Sequence, residues 1–144
     1  MNLPTGDILQ DLVQTLRSTG AFAAVNLGES AQESAVPRAC VVYEGQEWLP
    51  CDDEPAARWL RVRVRVTVHT RDENSGAATL RGAELCGAAA EALLVDPYRG
   101  GRCCDLPIGR ATEIGQAEPR TGLKRPEVEM TFSVRCHAEI PEES

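Results

Sequence analysis

The residues with the greatest chemical capacity in this chain are two histidines, six cysteines and a set of alternating arginines. His69 and His137 both fall on the polar faces of long alternating segments. If those segments pair, the imidazoles could approach each other, as acid–base partners or metal ligands must. A histidine on a sheet surface is far more often only that. Cys103 and Cys104 are adjacent in a glycine-rich stretch, with no CxxC or CxxxH spacing, and adjacent cysteines are poorly placed to share a tetrahedral zinc. A reactive thiol needs a base or cation beside it, and none is identifiable. Asp72-Glu73-Asn74-Ser75-Gly76 opens like a calcium loop, but Ala83 stands where the late bidentate Glu belongs. It reads as a helix-capping turn. Asp52, Asp53 and Glu54 read as a solvated acidic loop. No P-loop, dinucleotide fingerprint or nucleophile elbow occurs. The expectation is a non-enzyme with no cofactor and no metal.

The arginines remain. From Leu60 to His69 the chain alternates strictly, with Leu60, Val62, Val64, Val66 and Val68 on one face and Arg61, Arg63, Arg65, Thr67 and His69 on the other. Period two over ten residues is a half-buried strand, because neither set stays on one side at 3.6 residues per turn. A second long strand sets Val128, Met130, Phe132, Val134, Cys136, Ala138 and Ile140 against Glu127, Glu129, Thr131, Ser133, Arg135, His137 and Glu139. If the two are neighbours, Arg61, Arg63, Arg65 and Arg135 share a face with Glu127 and Glu129. Exposed ion pairs there are each worth a few tenths of a kcal/mol. These six residues are the candidate protein–protein interface, where arginine forks set register and partner choice. A solvated, charge-laced sheet is the plain alternative.

The elements that must position this face are few. A starter helix carries Ile8, Leu9, Leu12, Val13 and Leu16, with Thr5 or Asp7 as its cap and Gly20 past its end. Short strands are predicted at 22–27, 39–43 (ending at Gly45) and 108–114. A second helix over 77–94, capped by Asn74 or Ser75, presents a stripe of Ala78, Gly82, Leu85, Ala88, Ala89, Ala92 and Leu93, and Asp96-Pro97 stops it. Segments 46–55 and 117–126 read as flexible loops and 141–144 as a fraying tail. Alternation in the long strands implies a mainly antiparallel sheet with one wet face. The predicted fold is an α+β two-layer sandwich, a sheet of 4–5 strands with two helices packed on one face.

At 144 residues the chain is one domain with room for a core. A net charge of −7 argues against free nucleic acid as the main ligand. Cys40, Cys86 and Cys136 fall in predicted regular elements, as small hydrophobes do, so a reducing cytoplasm without disulfides is expected. No apolar run reaches membrane-spanning length.

Segment by segment, the order resembles a known family: an amphipathic helix; a strand after a proline, Val36-Pro37-Arg38-Ala39-Cys40-Val41-Val42-Tyr43; an arginine–valine strand into Thr70-Arg71-Asp72; a small-residue helix; and the closing Val128-Glu129-Met130-Thr131-Phe132-Ser133-Val134-Arg135-Cys136. It is similar to the phage tail terminator (tail completion, minor tail protein U-like) family across nearly the whole chain. That resemblance implies a virion protein of the tail or neck, assembled in the host cytoplasm. It implies a homo-hexameric ring that caps the tail tube, stops its polymerisation and joins the head connector, with genomic DNA only as passing cargo. The partners implied are further copies, the tail tube protein and the connector or neck protein. Such a ring is heterologous, closing by rotation. Two other readings stand beside it: another phage neck, head-closure or tail-tube-related subunit, and a stand-alone α+β binding domain.

Overall fold

The computed structural model describes residues 3–29, 35–49, 57–106, 109–120 and 127–141. Helix α1 (Thr5–Ser18) buries Ile8, Leu12, Val13 and Leu16. No side chain caps it. Pro4 stands at the N-cap and its carbonyl accepts from Ile8 N at 2.9 Å, while Thr5 lies inside the first turn and bonds Gln46. Asp7 instead places its charge near the helix's positive end.

Strand β1 (Ala24–Leu27) runs parallel to β2 (Arg38–Leu49). β2 pairs antiparallel with β3 (Ala57–Arg71), which pairs antiparallel with β6 (Glu127–Pro141) along its whole length, from Ala57 opposite Pro141 to Arg71 opposite Glu127. Two short strands, β4 (Thr112–Ile114) and β5 (Glu118–Arg120), add to the far side of β6. The sheet thus has six strands, mostly antiparallel, where four or five were expected. It is an open α+β sheet, as the alternation required.

Three expected loops are strand instead. Gly45, read as a stop, sits at a bulge: the register slips between Tyr43 and Gly45, and Gly45 takes φ +113, open to it without a side chain. Beyond the bulge, 46–49 continue β2, which leaves 50–56 outside the described residues. Within 117–126, residues 118–120 form β5, whose Pro119 an edge strand tolerates; 121–126 lie outside. Pro141 ends β6 rather than opening a tail, and 142–144 lie outside.

Helix α2 (Ser75–Val95) starts at Asn74, whose side chain accepts from Gly76 N and Ala77 N, as the capping turn predicted. Its buried stripe is Ala78, Gly82, Leu85, Cys86, Ala89 and Leu93; Ala88, expected in the stripe, faces out. Gly82 lets the helix lie close to the sheet, since a Cβ there would stand 3.5 Å from Thr70 Oγ1 and 3.9 Å from Met130 Cβ. α1 packs over β1 and β2 and α2 over β3 and β6, so both helices cover one face. Between them and the sheet lie the valines of β3 and the apolar set of β6. Truncating such a side chain to Ala typically costs about 2–5 kcal/mol.

Arg99 ties the layers together. It is 1% exposed, with φ +47, in a stretch expected to be irregular. Its guanidinium reaches Asp11 Oδ2 at 3.0 Å, Thr15 Oγ1 at 3.1 Å and the carbonyls of Leu93 and Asp96. The end of α2 is thereby fastened to the middle of α1.

Candidate functional site: the charged face of the sheet

The polar residues of β3 and β6 emerge on the side away from the helices, and their pairing fixes which of them meet. Arg61 lies opposite His137, Arg63 opposite Arg135, Arg65 opposite Ser133, His69 opposite Glu129 and Arg71 opposite Glu127. The six candidate interface residues therefore share one face, but they do not form one cluster. Glu127 and Glu129 sit at one end, and Arg61, Arg63, Arg65 and Arg135 toward the middle and other end.

The Glu127 end is self-contained. Glu127, with its side chain 13% exposed, accepts from Arg38 Nη2 at 3.0 Å and Arg71 Nη2 at 3.2 Å, and its Oε1 lies 3.1 Å from His69 Nδ1. Burial pushes its carboxyl up, but the Arg71 hydrogen bond and the charges of Arg38, His69 and Arg71 outweigh this, holding it below the ordinary carboxylate value. Burial, joined by the Arg38 charge, lowers the His69 imidazole despite Glu129 and Glu127. Sequence reasoning placed Glu127 on the correct face but missed that it serves the subunit's own cations.

The arginine end is arranged otherwise. Arg61 donates to Glu47 at 3.4 Å, Arg65 to Glu29 at 3.1 Å, and Arg135 Nε lies 3.4 Å from Glu113 Oε2. These carboxylates come from β2, from just beyond β1 and from β4, at the margins. Between them Arg63 and Arg135 stand directly opposite each other, a like-charge pairing that works against the sheet. Arg63 is exposed, and among the described residues no carboxylate pairs with it. Its guanidinium lies over the bulge: a Cβ on Gly45 would come within 3.3 Å of Arg63 Nη2. The missing side chain at Gly45 gives Arg63 its room.

The chain superposes on a chain of a solved structure described as the virion of the native gene transfer agent (GTA) particle. The TM-score is 0.55 at 14% sequence identity, over 92% of this chain and 94% of that one. The two chains share a fold. No protein-family profile and no curated protein matches the sequence.

The residues singled out for catalysis do not assemble. His69 and His137 lie at opposite ends of the β3–β6 pair and cannot meet. His137 is wholly buried: its backbone bonds Cys104 and Ala111, and its ring lies against the Arg110 carbonyl. Its Nε2 accepts from Arg61 Nε at 3.0 Å, so the ring proton sits on Nδ1, which donates to the Arg110 carbonyl. Cys103 is buried too, and its hydrogen bond with Cys136, with burial, pushes the thiol well above its ordinary range. Burial raises Cys104 as well, and Cys86 to about 11. These thiols pack; they are not activated nucleophiles. Among the described residues no group of His, Cys, Asp and Glu has the arrangement to hold a metal ion, and no helix is long and apolar enough to cross a membrane.

Proposed function

We propose that this chain is a structural subunit of a phage-like virion whose copies close into a six-fold ring. The ring ends the tail tube, stops its growth and presents the docking surface for the head connector. The observation that carries the reading is the end-to-end match in fold with a chain of the gene transfer agent virion, which spans 92% of this chain. The charged sheet face supports it: Arg63 stands opposite Arg135, with no carboxylate of the described residues paired to it, a charge that an interface would use. The partners are further copies, the tail tube protein and the connector or neck protein, and DNA passes through without being read. The subunit acts through shape and charge, with no cofactor.

Removing the gene from the producing particle tests the reading. Loss of a terminator leaves filled heads beside tails of uncontrolled length. Heads that leak DNA beside tails of normal length would assign the chain to head closure instead. A purified protein that stays monomeric and never binds tail tube would overturn the ring altogether.

A further inference from the structure

Helix α2 is apolar on the wrong side as well as the right one. Directly opposite its buried stripe run Leu80, Glu84, Gly87, Glu91, Leu94 and Val95, with Leu80 69% and Val95 82% exposed. A surface helix ordinarily shows water a polar face, and one that is apolar all round is usually covered on both sides. Beside this strip lies a groove of about 390 Å³ between Ala83, Gly87 and Ala90 of α2 and Ile114, Ala117 and Phe132 of the sheet. Exposed apolar surface of this kind marks a contact site. We infer that a second copy of this chain covers the outer face of α2 with its own arginine-bearing sheet face, Arg63 and Arg135 meeting Glu84 and Glu91. This rests on the ring reading and deepens it by naming the two surfaces.

Charge and shape select that occupant. Glu84 and Glu91 lie two turns apart, roughly 10 Å along the axis. On the sheet, Arg63 and Arg135 face each other across β3 and β6, roughly 5 Å apart at Cβ, and their long side chains can splay along the strands. The carboxylates thus fall within the reach of the two guanidinium groups. Gly87 and Ala88 keep the middle of the helix face low enough to lie on a flat sheet. The two surfaces are on opposite sides of the subunit, so the contact is heterologous and propagates from copy to copy, as a ring requires.

The test uses full-length protein with three variants: Arg63→Glu with Arg135→Glu, Glu84→Arg with Glu91→Arg, and Gly87→Trp. A Cβ at Gly87 meets nothing within 4 Å, so the tryptophan leaves the subunit folded while obstructing the face. Sedimentation and electron microscopy read assembly, and circular dichroism confirms folding. Each variant alone should weaken assembly by roughly 100-fold. Mixing the two charge-reversed proteins should restore it, because each then offers the other a complementary surface. Rings indifferent to all three variants would overturn this pairing while the ring stands. Rings that persist but lose tube or connector binding would assign α2 to a different virion protein and equally overturn it. Wild-type protein that never forms a ring, alone or on tube, removes the ring reading itself.

Discussion

Replacing Glu127 by Gln should be among the most destabilising changes available on the polar face of the sheet. Two guanidinium groups and an imidazole converge on this carboxylate: Arg38 at 3.0 Å, Arg71 at 3.2 Å and His69 at 3.1 Å. They do not contribute equally. The Arg71 side chain is 31% exposed, so solvent screens its share to a few tenths of a kcal/mol. The Arg38 side chain is 10% exposed, and its Nε and Nη1 have no hydrogen-bond partner, so Glu127 supplies its compensation. Removing one member of a buried pair strands the other charge, at about 3–5 kcal/mol when burial is complete. Partial exposure here reduces that to about 2–4 kcal/mol. For a domain of this length the melting temperature should fall by roughly 6–15 °C.

Urea unfolding followed by circular dichroism measures this directly. Arg65→Ala is the internal control: its pair with Glu29 is 38% and 62% exposed, and its loss should cost under about 0.5 kcal/mol. The reasoning further requires that Arg38→Met, combined with Glu127→Gln, recover at least about half the loss, since the stranded cation is then gone. A Glu127→Gln midpoint within error of the wild type, or a double variant no better than the single, would refute it.

The remaining predictions follow from the same geometry. His69 is depressed in the folded state, so the folded chain binds its proton less readily than the unfolded one, and stability rises with pH. The stability it contributes is present above its ordinary 6.5 and lost as pH falls through the lower folded value. The shift of Glu127 has the same sign and adds a further loss below about 4.5. Urea midpoints between pH 7.5 and 5.5 should therefore fall for the wild type and flatten for His69→Gln. Gly82→Ala should gain about 0.5–1 kcal/mol, because its Cβ makes only ordinary contacts and helix propensity improves. Gly82→Leu, which must displace Thr70 or Met130, should lose about 2 kcal/mol or more by thermal melting. Arg99→Met should cost about 3–5 kcal/mol by stranding Asp11 and the carbonyls at the end of α2, and should expose 97–104 to limited proteolysis.

The two long strands were legible because valine alternation over ten residues admits one conformation and one facing. That facing located Arg61, Arg63 and Arg65 on the outer surface and fixed the layer that the helices cover. What stayed hidden depended on contacts distant in sequence. Gly45 reads as a terminator until its partner strand is seen to continue past it. The parallel pairing of β1 and the three-residue β4 and β5 take their existence from neighbours, since such short runs carry no period of their own. Arg99 has no local mark that separates it from other loop arginines; only the approach of Asp11 and Thr15 from α1 makes it structural. The position of Glu127 was nearer to hand. Two strands of equal length paired end to end put Glu127 beside Arg71, and one strand further over lies Arg38. Alternation gave the side, and the register decides the partners.

That division of the outer face separates stability from assembly. At the Glu127 end, one carboxylate stands among two arginines and a histidine of its own subunit, so substitutions there act on folding and leave little charge for a partner. At the Arg63 end, carboxylates sit at the rim and two guanidinium groups oppose each other across β3 and β6. A sheet selected only for its own stability would place an acidic residue at position 63, opposite Arg135, as exposed cross-strand pairs of opposite charge gain up to about 1 kcal/mol. Arg63→Glu should accordingly stabilise the isolated subunit slightly, since it gains Arg135 and breaks no ion pair among the described residues, while weakening assembly. A substitution that strengthens the monomer and harms the ring is what an interface predicts and a merely solvated face does not. If Arg63→Glu instead leaves assembly intact, this end of the sheet belongs to solvent.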